Sequence, residues 1–210
     1  MNYKYILLLI FSLLLSSTGS AFHQKEFLDL RYDNISPNKT SVTTHKINIK
    51  VNESASPLFY VINRHIKSVK LAGKLTITTP ISHKDIFADH YLGLGVVTTG
   101  DFKPGFFTRL LLPDWLKTLL DLDKKDVSGV GEVNFYLLDG HQGKNIGKEI
   151  ERDVMGLKLT EKFVSKVNIN GDFTLSVTLP RQKILAIWLL VDGDNSKASF
   201  SVDISKIIFQ

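Results

Sequence analysis

Residues 181–203 read RQKILAIWLLVDGDNSKASFSVD, and this stretch decides the fold class. An uninterrupted apolar run at 184–191 is followed by a polar segment at 192–196 and then by an alternating segment. A short apolar run that ends in turn-forming residues is typical of a buried β-strand, and strict alternation is typical of a half-buried one. The stretch therefore predicts a buried β-hairpin. Within it, Leu185, Ile187, Leu189 and Val191 form a wholly aliphatic face that is expected to lie in the core.

Other segments show the same period of two. Residues 91–97 are apolar on both faces, which favours a central strand. The alternating positions are Ile47, Ile49 and Val51, then Val69, Leu71, Leu75 and Ile77, then Val133, Phe135 and Leu137, then Phe173, Leu175, Val177 and Leu179. Many short strands with turn signals between them predict an all-β fold, an antiparallel β-sandwich or jelly roll, with one short amphipathic helix.

Two positions break the alternation. Gly73 interrupts its strand, and glycine inside a strand usually marks a bulge or a close approach of another backbone. Near the end of the chain, Ile204 and Ile207 lie on opposite faces by simple alternation, although both are apolar. A bulge near residues 205–206 would turn both side chains inward, so a bulge is predicted there.

The helix is predicted to begin at Pro113, because proline suits a first helical position. Trp115, Leu116 and Leu120 then lie on an apolar face. Together with Phe106 and Phe107 they offer an alternative interpretation. In that interpretation segment 106–122 exposes an apolar patch for an envelope protein or a membrane surface.

The first residues predict the compartment. Residues 1–21 combine Lys4, an apolar run at 6–15 and small residues up to Ala21, which is typical of a cleaved secretory signal peptide. Residues 22–210 then form a single β-sandwich domain, periplasmic or extracellular, with no transmembrane segment. Without Lys4 the chain keeps 25 basic and 21 acidic side chains, and the basic ones are scattered, so nucleic acid is not an expected partner. The chain has no cysteine, which excludes disulfides and thiol catalysis.

Several segments together resemble a family. They are residues 52–58, a strand beginning near Val69, an acidic loop that closes with Asp89 before 91–96, and Trp188 followed by 192–194. In this order they resemble a family of uncharacterised exported bacterial proteins that are similar to galactose-binding-domain-like jelly rolls. The resemblance covers most of residues 22–210. It implies the fold but no activity, because fold and function are separate questions.

Two polar segments hold possible metal ligands. His83, Asp85, Asp89 and His90 lie within one loop, but their spacing matches no known ligand pattern, and a solvated loop is the favoured interpretation. Residues 192–196 place oxygens at alternate positions, as calcium loops do. Lys197 stands where a calcium loop has glycine, so a turn is favoured there as well. No cofactor or metal is predicted.

A hydrolase has weak support. Glu149, Glu151 and Asp153 share one strand face, and a glycosidase needs two carboxyls at a defined separation, one of them with a raised pKa. Lys148 and Arg152 intervene, which favours a solvated charged edge. The sequence also lacks a nucleophile elbow and a phosphate-binding loop, so an enzyme is not excluded but is unsupported, and a non-catalytic role is favoured.

Trp188 is the leading candidate for a binding function. An exposed aromatic ring on a sheet face can stack on the C–H bonds of a sugar. Asp192, Asp194 and Asn195, which follow on the same strand and in the next turn, could accept hydrogen bonds from the hydroxyls of that sugar. The sequence therefore predicts a non-catalytic module that binds carbohydrate or glycan. The alternative is that Trp188 lies buried beneath the helix that begins at Pro113. This packing would remove both the apolar face of the helix and the Trp188 face of the strand from water.

Overall fold

The computed structural model describes residues 27–82, 85–122 and 129–210. The predicted signal peptide and His83 lie outside these residues. The strands of the described ranges are β1 (Phe27–Asp29), β2 (Lys39–Thr43), β3 (Lys46–Asn52), β4 (Leu58–Arg64), β5 (Ser68–Thr79), β6 (His90–Phe102), β7 (Val130–Asp139), β8 (Glu149–Val154), β9 (Leu157–Lys166), β10 (Asp172–Thr178), β11 (Ile184–Asp192) and β12 (Ser199–Phe209). The helices of these ranges are α1 (Phe106–Leu111) and α2 (Asp114–Leu122). Neither of these helices is long and apolar enough to cross a bilayer.

The strands form two sheets, which confirms the all-β sandwich. One sheet has the order β1-β4-β11-β6-β7-β9-β8 and the other has the order β10-β5-β12-β3-β2. Neighbouring strands are antiparallel except for β7 and β9, which run parallel. This pair arises because β8 returns along the outer edge and β9 then inserts between β8 and β7.

The predicted hairpin is wrong in one respect. β11 and β12 do not pair with each other, because β11 joins the seven-stranded sheet and β12 joins the five-stranded one. The polar segment between them therefore crosses from one sheet to the other. The apolar character of β11 is explained by burial on both faces: Ile187 and Val191 face the core between the sheets, and Trp188 faces a second core outside the seven-stranded sheet.

The aliphatic face of β11 is also corrected at one residue. Leu185 lies in the outer core with Trp188, whereas Ile184 lies in the inner core. The pairing of β11 with both of its neighbours shifts between Ile184 and Ala186. A register shift reverses which side chains point to which face, so simple alternation fails at this end of the strand.

Both predicted interruptions are confirmed. The pairing of β12 with β5 shifts between Ile204 and Lys206, which leaves Ser205 as the extra residue and buries Ile207. Gly73 lies opposite Ile204 in this pairing. A Cβ atom at Gly73 would overlap the carbonyl oxygen of Asp203, so the close approach of that backbone requires glycine here.

The helix predicted from Pro113 is confirmed as α2. The Pro113 carbonyl accepts hydrogen bonds from the N–H groups of Leu116 and Lys117, at 3.0 and 3.1 Å. Leu116 and Leu119 are fully buried against the outer face of the seven-stranded sheet. The preceding helix α1 was not predicted, and none of its residues is buried.

Candidate functional site

Trp188 lies beneath α2 and not on an open sheet face. Trp188 is 4% exposed. Its ring is 4.9 Å from that of Phe59, 4.8 Å from Phe135 and 5.5 Å from Trp115, measured between centroids. The structure thus shows the alternative that the sequence analysis left open. Because other aromatic rings cover Trp188, it offers no surface on which a sugar could stack.

The polar segment after β11 meets the loop before β6. Carboxylate oxygens of Asp89, Asp192 and Asp194 all lie within 4.8 Å of one another. Asp89 accepts hydrogen bonds from the backbone N–H of Ser196 at 2.6 Å and from the Asn195 side chain at 3.0 Å. Two segments that the sequence analysis treated separately therefore form one acidic cluster.

The cluster is held together without a basic side chain. No lysine or arginine of the described ranges forms an ion pair with these three aspartates. Burial raises the pKa of Asp192 to about 8, helped by a hydrogen bond with Asp194 and by the charges of Asp194 and Asp89. Three carboxylate oxygens suit a hard cation such as Ca²⁺. The hydrogen bonds of Asp89 and the proton on Asp192 account for the same arrangement without one.

A cavity of about 470 Å³ opens beside Asp89, at one end of the sandwich. It lies between the segment at 77–91 and the loop at 138–145. Its polar wall includes Asp85, Asp89, His90, Asp139, His141, Gln142, Lys144 and Asn145, and its apolar wall includes Ile77, Ile81, Ile86, Tyr91 and Phe163. A concave site that combines apolar surface with convergent polar groups is the usual form of a small-ligand site.

His90 is the most unusual residue of this cavity. It is 4% exposed, and neither ring nitrogen has a hydrogen-bond partner in the described part of the chain. Burial lowers the pKa of His90 to about 4; the charge of Arg152 lowers it further, while that of Asp89 opposes the shift. The ring is therefore neutral at physiological pH. Leaving a buried polar group unpaired costs about 1–3 kcal/mol, which a ligand that pairs with it would recover.

The loop opposite His90 is held in place by Asp139. Its carboxylate accepts hydrogen bonds from Gly140 N at 2.9 Å, from Asn145 N at 2.8 Å and from Asn145 Nδ2 at 3.2 Å. His141 Nδ1 lies 2.7 Å from the carbonyl oxygen of Asn168, which ties the loop tip to the turn between β9 and β10. The residues of this wall were not predicted from the sequence. Its only signal was a polar, glycine-containing loop directly after a buried strand.

The metal candidates do not converge as a set. Asp85, Asp89 and His90 all line the cavity, and Asp85 Oδ1 accepts a hydrogen bond from Phe87 N at 2.9 Å. Of these three, Asp89 alone belongs to the carboxylate cluster with ligand spacing. His83, the fourth candidate, lies outside the described residues. The three described candidates are better explained as the wall of a cavity than as ligands of one metal.

The apolar patch predicted for segment 106–122 is divided between its two helices. On α2, Leu116 is fully buried, and Trp115 and Leu120 are half-buried in the outer core, so these three residues are not a docking surface. On α1, by contrast, four large apolar side chains are exposed. Their exposed fractions are 73% for Phe106, 80% for Phe107, 61% for Leu110 and 76% for Leu111.

The carboxylates considered for a hydrolase lie on the edge strand β8 of the seven-stranded sheet. Glu149 pairs with Lys162 at 2.8 Å and Glu151 pairs with Lys158 at 2.9 Å. Asp153 accepts a hydrogen bond from Gly156 N at 2.7 Å. All three acidic residues are exposed on β8. Their arrangement is that of a solvated charged edge, as the sequence analysis favoured.

No protein-family model matches the chain, and no curated protein sequence matches it.

Proposed function

We propose that the chain is an exported, non-catalytic module that binds carbohydrate in the cavity beside His90. The buried, unpaired imidazole of His90 carries this proposal. Such a ring has one donor and one acceptor nitrogen when neutral, and a sugar hydroxyl can serve as the partner of either. Export rests on residues 1–21 of the sequence alone.

The rest of the cavity supports a sugar as the ligand. Tyr91 is half-buried at the cavity wall and offers aromatic surface, which packs against sugar C–H bonds. Gln142 and Asn145 offer amide groups that can both donate and accept hydrogen bonds. The cavity volume of about 470 Å³ falls within the range of about 300–1,000 Å³ that is usual for small-ligand sites. The hydrogen bonds of Asp139 pre-form one wall, which lowers the ordering cost of binding.

The positions and hydrogen bonds of the carboxyl groups near the cavity favour binding over hydrolysis. A glycosidase needs an acid with a raised pKa that faces the scissile bond. The pKa of Asp192 and that of Glu161 are raised by burial, but neither residue lines the cavity. Among the lining residues, Asp89 and Asp139 are each engaged by several N–H donors. These two carboxylates are thereby committed to holding the loops.

Replacing His90 with phenylalanine is expected to weaken binding of the best-bound oligosaccharide about 10-fold, since each lost hydrogen bond contributes about 1 kcal/mol. Phenylalanine fills the same space but offers no polar atom. Binding would be measured by isothermal titration calorimetry, with oligosaccharides first chosen by a glycan array. His45→Phe is the matched control, because His45 is exposed in the β2–β3 turn. Equal affinities for wild type and a folded His90→Phe variant would refute the site.

A second function is favoured by the exposure of α1: docking of an envelope protein through an apolar groove that accepts Phe106, Phe107, Leu110 and Leu111. Segment 101–122 carries three basic and three acidic side chains. A helix that binds an anionic membrane surface normally has a basic excess, which is missing here. A protein partner therefore fits this helix better than a lipid surface does.

The double variant Phe107→Ser, Leu111→Ser is expected to change the free energy of unfolding by less than about 0.5 kcal/mol, because both side chains are exposed. It should lose crosslinks to a partner that is identified by mass spectrometry and binds again as a purified protein. Ile169→Ser is the control, since Ile169 is 87% exposed elsewhere. Retained crosslinks, crosslinks between two copies of the chain alone, or binding to lipid vesicles instead would each contradict a protein partner.

A further inference from the structure

The outer face of the five-stranded sheet gathers basic side chains that are scattered in the sequence. Side chains along its strands alternate between the inner core and this outer face. The strand register places six lysines and two aspartates on the outer face, and they are Lys39, Lys46, Lys50, Lys70, Lys74, Lys206, Asp172 and Asp203. This surface, the basic face, therefore carries an excess of positive charge.

The two aspartates neutralise only the middle of the basic face. Asp203 Oδ1 lies 2.8 Å from Lys46 Nζ, and Asp172 lies directly opposite Lys74 on the neighbouring strand. Burial would raise the pKa of Asp203, but its hydrogen bonds and the charges of Lys46 and Lys50 lower it. The positive charge of the surrounding lysines is thus felt by the acidic group that lies among them.

One end of the basic face holds two lysines that oppose each other. Lys39 on β2 lies directly opposite Lys50 on β3, at a separation of about 5 Å between Cβ atoms. Within the described ranges, neither lysine forms an ion pair with an acidic side chain. Like charges that are directly opposite on neighbouring strands destabilise a sheet. An anion bound between Lys39 and Lys50 would relieve this repulsion.

A groove of about 560 Å³ lies beside this lysine pair. Lys39 and Lys50 both line it, and none of its lining residues is acidic. Thr78 and Ser201 add hydroxyl groups, which can donate hydrogen bonds to an anion or exchange them with a sugar. We propose that the groove binds an acidic polysaccharide, with a sulfate, phosphate or carboxylate group of one sugar unit held between Lys39 and Lys50. The groove shares no lining residue with the cavity beside His90, so this second site does not depend on the first.

The extent of the charge favours a polymer over a single small anion. Lys70 and Lys206 carry the positive charge to the other end of the basic face, and they have no ion pair within the described ranges. Ser201 lies opposite Lys50, and the five residues from Ser201 to Lys206 span about 15 Å. A linear polyanion of several sugar units can contact both ends at once, whereas a lone ion cannot.

Other polyanions fit the basic face less well. Phe173, Phe200 and Phe209, the aromatic residues of these strands, pack toward the inner core, so no described ring offers the stacking platform that single-stranded nucleic acids use. The exposed large apolar side chains of the described chain all lie outside the strands of this sheet. A membrane surface would therefore meet lysines without the apolar groups that insert into lipid. Hydroxyl groups beside lysines suit an acidic sugar.

Binding of three polymers to residues 22–210, measured by isothermal titration calorimetry, tests the proposal. They are dextran sulfate, polygalacturonate and uncharged dextran. At low salt, at least one acidic polymer is expected to bind and uncharged dextran is not, and the affinity should fall as NaCl is raised. Binding of neither acidic polymer would overturn the proposal but would leave the cavity beside His90 untouched. Equally tight binding of single-stranded DNA or of phosphatidylglycerol vesicles would also overturn it.

The double variant Lys39→Gln, Lys50→Gln locates the site. An exposed ion pair contributes about threefold to affinity, so this variant should bind the acidic polymer about 10-fold more weakly. Its unfolding temperature should equal or exceed that of the wild type, because the like-charge pair is removed. Lys67→Gln, Lys103→Gln is the matched control, since it removes the same charge from exposed positions off the basic face. An equal loss of affinity in the control, or wild-type affinity in the folded double variant, would overturn the proposal.

Discussion

Replacing Trp188 with alanine is expected to lower the free energy of unfolding by about 3–5 kcal/mol, the usual cost of removing a large buried aromatic side chain. Trp188 is 4% exposed and contacts the rings of Phe59, Trp115 and Phe135. It joins the seven-stranded sheet to α2, so the cavity left by alanine would lie at the centre of the outer core. Urea denaturation followed by far-ultraviolet circular dichroism would measure the change.

Trp188→Phe is the control for this prediction. The indole Nε1 of Trp188 is buried without a hydrogen-bond partner in the described residues, so losing it breaks no hydrogen bond. The phenylalanine variant should lose only about 1–2 kcal/mol, for the smaller ring. Its affinity for oligosaccharides should equal that of the wild type. A loss of less than about 1 kcal/mol in the alanine variant would mean that Trp188 is not a core residue.

Stability is expected to fall as the pH rises from about 6.5 to 8, because of Asp192. Its pKa is about 8 in the folded chain and 3.8 when unperturbed, so the folded state holds the extra proton between these values. Stability therefore declines with rising pH wherever the folded chain keeps this proton and the unfolded chain has released it, by at most about 1.4 kcal/mol per pH unit, and the decline ends above the folded pKa. His90, with a folded pKa of about 4 against 6.5, acts with the opposite sign between these two values, and its contribution fades as the pH rises above 6.5.

The variant Asp192→Asn should remove this decline, since asparagine does not titrate. Thermal unfolding at several pH values between 6 and 8.5 would show the difference, with Asp101→Asn as a control that keeps the decline. For Asp192→Asn we expect a stability that is nearly constant over this interval. A wild-type protein that is as stable at pH 8 as at 6.5 would refute the raised pKa.

The fold class could be predicted because burial follows simple alternation in most strands. Ile47, Ile49 and Val51 are buried as their spacing indicated, and the bulge at Ser205 followed from the parity of Ile207. The pairing of β11 with β12 could not be predicted in the same way. The sequence of a polar turn between two apolar strands is the same in kind whether the second strand pairs with the first in one sheet or crosses to the facing sheet.

The site was predicted only in part. Asp89, His90 and Asp85 were named from the sequence as possible metal ligands, yet the structure places them around a cavity. Asp139 and Asn145 were not named, because they are distant in the sequence from this group and become neighbours only through the sheet. Trp188 was predicted as a binding residue because it is a tryptophan on a strand. Sequence spacing gives its face on the strand but not what covers that face.

The position of the last two strands has a consequence for biosynthesis. β11 lies between β4 and β6 in one sheet, and β12 lies between β5 and β3 in the other. Neither sheet can be completed before β11 and β12 have left the ribosome, because each sheet needs one of these strands in its interior. A nascent chain without residues 184–209 would thus stay unfolded. That delay suits a protein that must be threaded through a membrane before it folds, as the proposed export requires.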